Sequence, residues 1–203
     1  MVESIALWVA LVVANVTGVG MVLPQVRRLY VRRRTDGVSA AWLGLGLAVN
    51  GWWVAYALNA SLWGLIPVSA GSGLLYLASG VLVRMIDGVS ANRSLALGFV
   101  GLSAGPVIGY LIGGWEAVGF VLGLVYCVQF SPAVWSVYVS PEIGAVSPAT
   151  WFMAAIESVI WLVYGLNVGD VPLSIGGGGG LVLSCAIILR ILAVGRAEPL
   201  AVR

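Results

Sequence analysis

The chain is laid out as long apolar blocks parted by short polar joints. A helix needs about 20 mostly apolar residues to cross the hydrocarbon core of a bilayer. Seven blocks approach or exceed that length: Ile5–Val26, Ser39–Leu58, Leu62–Val83, Ser94–Ile112, Trp115–Tyr138, Ser147–Leu166 and Val171–Val194. The pattern predicts an all-α integral membrane protein with seven transmembrane helices. The joints are short, so consecutive helices should run antiparallel as neighbours.

Composition agrees. Of 203 residues, 61% are hydrophobic and 9% charged, with mean hydropathy +1.05. Soluble domains carry about 25% charged residues, and a fold of this length in water could not hide so much apolar surface. With lipid as the solvent, the outer surface is apolar too. The first block is preceded by Glu3 and by no Arg, and no small-residue cleavage site follows it, so it reads as a retained span rather than a signal peptide.

Charge sets the orientation. All 10 basic residues are Arg, with no Lys and no His. Five lie in Arg27–Arg34, Arg84 and Arg93 flank the third joint, and Arg190, Arg196 and Arg203 lie at the C-terminal end. Seven spans put every Arg on one side and leave Glu3, Glu116 and Asp170 on the other. The positive-inside rule makes the Arg side cytoplasmic, with the N-terminus outside and the C-terminus inside. The Arg cluster is compact and sits between two spans, so it reads as an anchor for anionic lipid rather than for nucleic acid.

The absence of His removes imidazole acid–base catalysis and imidazole metal ligands. The absence of Lys removes Schiff-base chemistry and a Walker-type phosphate loop. Cys127 and Cys185 lack the CxxC spacing of a metal or redox site and read as small buried hydrophobes. No nucleophile–base pair stands at helical spacing, so no catalytic residue, metal site or cofactor is expected and the chain does not read as an enzyme.

Laid over itself with Pro24 on Pro132, the sequence partly matches itself. At that one offset Tyr30 falls on Tyr138, Val38-Ser39 on Val146-Ser147, Trp53 on Trp161, Tyr56 on Tyr164 and Leu58-Asn59 on Leu166-Asn167. Each unit covers three blocks. Two three-helix units in the same orientation need an odd number of linking spans, which the fourth block supplies. The predicted organisation is a first repeat at 1–86, a linker helix at 87–114 and a second repeat at 115–203, as parallel repeats about an axis along the membrane normal.

These residues resemble the PQ-loop/SWEET transporter family over nearly the whole chain. The first unit has Leu23-Pro24-Gln25, a basic turn, then Thr35-Asp36-Gly37-Val38-Ser39; the second has Ser131-Pro132, then Val146-Ser147-Pro148; both have a W-x-x-Y pattern, Trp53 to Tyr56 and Trp161 to Tyr164. The resemblance implies a sugar facilitator working by alternating access, with its substrate near the midplane at the repeat interface. It implies that Trp53 and Trp161 flank the substrate and that Pro24 with Gln25, Pro132 and Pro148 form hinges or gates. The family's fourth hinge proline is replaced here by Ala40 or Trp42. Its Asn pair, expected after an Ile-Pro-like turn, is absent: Ile66-Pro67 leads to Val68-Ser69 and Ile175 to Gly176-Gly177, so Ser69 and Gly177 stand as lining candidates.

Glu157 lies well inside the sixth block. An acid at the bilayer centre costs about 2.5–3.5 kcal/mol on insertion scales, so it should face the bundle interior or a water-filled cavity. Trp161 follows at helical spacing on the same face. Glu157 could carry a proton, pair with a cationic substrate or accept sugar hydroxyls; alternatively it bonds a neighbouring helix with no role in transport. Asn50 stands at the repeat position of Ser158, and both are candidate lining residues; Asn50, Asn15 and Thr17 could equally hold helices together. The run Gly176–Gly180 reads either as close packing against another helix or as a broken helix whose freed backbone groups line a cavity.

The expected function is facilitated diffusion of a small sugar, mono- or disaccharide, across the plasma membrane by a multi-pass protein. Its other partner is the lipid bilayer, and an oligomer is compatible with this plan. Glu157 and the missing Asn pair speak for a second reading, a proton-coupled carrier of an amino acid or another small polar solute. A third is a membrane receptor or scaffold that transports nothing.

Overall fold

The structure, a computed structural model, describes residues 5–35, 38–139 and 148–197. These are almost wholly helical: α1 (Ile5–Arg32), α2 (Ala40–Asn59), a 3-10 turn (Trp63–Leu65), α3 (Ile66–Asp87), α4 (Ser90–Val139), α5 (Pro148–Val168) and α6 (Val171–Ala197). Among the described residues, six helices are long and apolar enough to cross a membrane. Asp36-Gly37 and Val146-Ser147, two pieces of the repeated motif, lie outside the described residues.

The helix of 50 residues, α4, is folded in two. Gly113 (φ −144°, ψ 21°) and Gly114 (φ 62°, ψ −151°) leave helical geometry inside it. A Cβ on Gly105 would lie 3.2 Å from Val121, and one on Gly109 would lie 3.3 Å from Ala117 and Val121. Residues 105 and 121 would stand about 24 Å apart along a straight helix at 1.5 Å per residue. The arm at 90–112 and the start of the arm at 115–139 therefore run antiparallel. Gly114 takes the left-handed conformation that a side chain resists, and the turn falls between the two blocks the sequence separates.

Helix α1 is longer than its apolar block. Its 28 residues would extend about 42 Å, against about 30 Å of hydrocarbon. Arg27, Arg28 and Arg32 are helical rather than part of a turn, because charge ends a membrane span without ending a helix and Arg is a good helix former. The helix ends at Arg33, whose φ of 49° places it in the left-handed region and whose amide donates to Leu29 O at 3.1 Å.

Close contacts divide the chain into two units, Met1–Leu122 and Gly123–Arg203. In the first, α3 packs against both α1 and α2. Leu29, Leu43, Val83 and Ala91 form a buried cluster at the end of α1, the start of α2, the end of α3 and the start of α4. Thr35 donates to Asp87 Oδ1 at 2.7 Å at the same end. That end gathers Arg27, Arg28, Arg32, Arg84 and Arg93.

In the second unit, α6 packs against α5 and against the arm at 123–139. Its buried cluster joins Val137 and Ile187 to Trp151, Ile191 and Val194. At the offset that lays Pro24 on Pro132, Leu29, Leu43, Val83 and Ile86 become Val137, Trp151, Ile191 and Val194. The duplication is thus a repeat of packing as well as of letters.

Glycines set the closest helix crossings. Gly98 faces the Ala41 carbonyl, with Ala41 C 2.7 Å from where its Cβ would be, and Gly44 faces the Leu95 carbonyl, with Leu95 C at 3.0 Å. Backbone cannot retreat as a side-chain tip can, so a methyl here must push α2 and α4 apart. Gly20 has nothing within 4 Å of its Cβ position. Gly98→Ala is expected to cost about 1–3 kcal/mol by overpacking, and Gly20→Ala to be neutral or mildly stabilising through helix propensity. Thermal unfolding of the two variants in one detergent checks this; equal melting temperatures would contradict the crossing.

Candidate functional site

Two buried polar residues, Glu157 and Ser158, lie side by side on α5 in the second unit. Glu157, Ser158 and Trp161 are all buried there, with Ser158 0% exposed. Positions four apart share a helix face, and the Trp161 indole N–H donates to Glu157 Oε1 at 3.2 Å. The carboxyl thus has a partner inside its own helix. One indole bond leaves acceptor capacity on its two oxygens.

The glycine run of α6 stands opposite. It is helical throughout rather than broken, because close packing occupies the space that side chains would take. A Cβ on Gly177 would lie 2.8 Å from Leu162 Cα and 2.9 Å from the Ser158 carbonyl oxygen. One on Gly180 would lie 2.7 Å from Ser158 Oγ and 2.9 Å from Tyr126 Cε1. Gly179 faces the sulfur of Cys127. The run is therefore wedged between α5 and the arm at 123–139, with Gly177 in the tightest contact with α5.

Tyr126 is the residue that sequence reasoning missed. Its ring meets Gly180 beside Ser158 and packs, tilted by 53°, against Phe130 at 5.2 Å. The signal was the glycine run itself, since a stripe without side chains calls for a bulky neighbour. The Ser158 hydroxyl, although fully buried beside that ring, makes no hydrogen bond of good geometry among the described residues. A hydroxyl in that state costs about 1–3 kcal/mol, and a polar visitor could satisfy it.

The first unit repeats the frame with different chemistry. Trp53 and Tyr56 are buried and pack edge to face at 5.9 Å and 77°, as Trp161 and Tyr164 do at 6.2 Å and 68°. Gly71 faces Val19 as Gly179, its repeat equivalent, faces Cys127. Asn50 is half-buried and donates back to Gly46 O at 2.7 Å, so it does not tie its helix to another. Asn15 does: its amide reaches Leu11 O at 2.8 Å and Gly64 O at 2.9 Å, fastening α1 to the 3-10 turn. Thr17 bonds Val13 O of its own helix at 2.8 Å. Ser69 is buried on α3.

The hinge candidates divide. Pro24 is exposed within α1 and cannot donate to the Gly20 carbonyl, so it weakens the helix one turn before the arginines. Gln25 beside it is half-buried. Pro148 is the first residue of α5, where a missing donor costs nothing and no kink follows. Pro132 is helical in α4, and its side chain is outside the described residues. Cys127 is half-buried, donating toward Gly123 O at 3.3 Å, whereas Cys185 is exposed, against the expectation that both are buried. An outward face of a lipid-bathed helix takes a thiol as readily as a core does.

Chemically, the α5–α6 cluster offers a carboxyl, an incompletely bonded hydroxyl and two aromatic rings in an apolar surround. It can accept hydroxyls or hold a proton. Among the described residues no group of His, Cys, Asp and Glu could hold a metal ion. Glu157→Leu is expected to lose about 1–3 kcal/mol of stability by stranding the Trp161 indole, while Glu157→Gln, which keeps an acceptor, should stay within about 1 kcal/mol of wild type. Chemical unfolding in detergent followed by tryptophan fluorescence measures both; equal losses would refute the bond.

A scan against protein-family models finds none that matches this chain, and a search of curated proteins finds no match either.

Proposed function

We propose that this protein is a seven-span membrane transporter on the plan of the PQ-loop/SWEET family, moving a small sugar by facilitated diffusion through alternating access. The folded α4 supplies the fourth and fifth spans, the N-terminus is outside, the C-terminus is cytoplasmic, and the protein works in the plasma membrane. The observation that carries this reading is the recurrence of one packing scheme at a single sequence offset, including the buried Trp–Tyr pairs 53/56 and 161/164. Parallel repeats joined by a single span are a transporter plan. The gathering of Arg at one end of the first unit supports the orientation. In this reading Trp53 and Trp161 offer ring faces to a sugar, and Glu157, Ser158, Asn50 and Ser69 offer hydrogen bonds. Gly177 lets α5 and α6 close, and Pro24 with Gln25 gives α1 its point of flexure.

Glu157 favours a second reading, a proton-coupled carrier of an amino acid or another small polar solute. An acid buried in a span is costly and marks proton or ion pathways. The position two residues on from each Ile-Pro or Ile-Gly turn is Ser69 or Gly177, neither of which offers the carboxamide that the resemblance leads one to expect.

Uptake of labelled glucose and sucrose into proteoliposomes, with and without an inward proton gradient, separates these readings. Sugar entry indifferent to the gradient supports the facilitator. Gradient-driven entry of amino acids without sugar entry supports the carrier, with its pH dependence lost in Glu157→Gln. No flux of any of these solutes through folded protein leaves a receptor or scaffold. For either transporter, Trp161→Ala is expected to lower the initial rate at least about tenfold, the loss of roughly 1.4 kcal/mol of transition-state binding, while the protein remains monodisperse.

A further inference from the structure

A groove of about 470 Å³ opens on the first unit between the second half of α3 and the beginning of α4, with α2 as its floor. Its size falls within the range of about 300–1,000 Å³ typical of small-molecule sites. Leu77 and Val81 of α3 face Phe99 and Val100 of α4 across it, and all four are exposed. The floor is Gly44, where α2 and α4 come into backbone contact. Along most of its length the groove is hydrocarbon, which suits an acyl chain.

One end differs. Arg84, half-buried, and the exposed Asn92 line it there, at the same end as Arg27, Arg28 and Arg32. Among the described residues that line the groove none is acidic, and Arg84 is the one that carries a charge. Asp87, one turn along α3, is occupied by the Thr35 hydroxyl at 2.7 Å. Among the described residues the Arg84 guanidinium has no carboxylate partner. An Arg with no carboxylate partner among the described residues, at the rim of an acyl-sized slot, suits an anion attached to a chain.

We propose that this groove binds one anionic phospholipid, its acyl chain along the slot and its phosphate held by the Arg84 guanidinium with the Asn92 carboxamide. Guanidinium matches phosphate geometry with paired hydrogen bonds, and basic pockets between spans on the cytoplasmic side take anionic headgroups. The site lies wholly in the first unit and is independent of the solute-binding residues of α5. A bound lipid there would brace α3 against the first arm of α4.

The test is native mass spectrometry of the full chain in detergent after stepwise delipidation, offering phosphatidylglycerol or diacylglycerol, which lacks the phosphate, of equal chain length. Wild type should retain one phosphatidylglycerol with at least about a tenfold preference, the least that a charge-assisted hydrogen bond contributes. Arg84→Gln should erase the preference and leave the weaker chain binding. Ala96→Trp, which fills the open slot from an exposed lining position, should abolish retention of both lipids. Arg28→Gln, outside the groove, should behave as wild type and keep the fold as the reference. Equal retention of the two lipids by wild type, or an unchanged preference in Arg84→Gln, overturns the proposal. So does binding of glycerol phosphate that is as tight as the lipid and indifferent to Ala96→Trp, since that marks a site for a soluble phosphate.

Discussion

Helices in lipid gain little by exchanging hydrocarbon neighbours for one another, so their association depends on how near their backbones can come. In this protein that nearness is set by glycine. Gly44 and Gly98 let α2 and the first arm of α4 meet carbonyl to Cα, and Gly177 lets α6 lie against the α5 backbone at Leu162. The run Gly176–Gly180 would be a weak point in a helix in water, where each Gly costs about 1 kcal/mol relative to Ala. Inside a membrane no water competes for the backbone, and the run becomes the surface on which α5 and the arm at 123–139 close. The buried residues follow from it: Ser158 and Tyr126 are held where they are because Gly180 has no side chain.

The same arrangement is built twice. In each unit the last of the three helices is the central one, packed against the other two, and the end that carries Arg is closed by an apolar cluster whose members correspond at the repeat offset. Asn15 reaches across to Gly64 O in the first unit; at the corresponding place in the second, Gly123 lies against the Pro172 carbonyl, 2.6 Å from the Cβ position. The contact survives while its chemistry changes from a hydrogen bond to backbone packing. Such freedom is available because the crossing is defined by the distance between helices rather than by one side-chain pair.

The long apolar helices, six among the described residues, were legible because lipid imposes a single rule of length and polarity, and the turn at Gly113-Gly114 falls in the gap between the fourth and fifth apolar blocks. Less legible were helix ends outside the hydrocarbon. Arg27, Arg28 and Arg32 ended the apolar block but not α1, since hydropathy registers the membrane boundary and helix propensity runs past it. In the site, Glu157 and Trp161 were legible from their spacing alone. Tyr126 was not, because it lies in another helix and its register against Gly180 is set by packing that no local pattern encodes. Pro148 illustrates a further limit: a proline reads as a kink until the helix start is known, and here it is the first residue.

The two units differ most where the site is. Glu157 corresponds to Val49 and Ser158 to Asn50, and the pair Ser72–Gly18, joined by a hydroxyl-to-carbonyl bond of 3.5 Å, corresponds to Gly180–Tyr126. The small and large partners have exchanged places across the same helix contact. In the first unit Asn15, Asn50 and Ser72 are each bonded to a carbonyl, while Asn15 Oδ1 and the Ser79 and Ser103 hydroxyls are buried with no hydrogen bond among the described residues. Among the described residues of the second, the carboxyl of Glu157 accepts from an indole, and the Ser158 and Ser184 hydroxyls have no well-formed bond. Burying a carboxyl in a span costs several kcal/mol, a cost that a packing role would not require, since Val49 fills the corresponding place. What separates the units is therefore the carboxyl rather than unpaired hydroxyls, which both units bury: the shared residues hold the helices together, and Glu157 stands where the first unit has a plain apolar side chain.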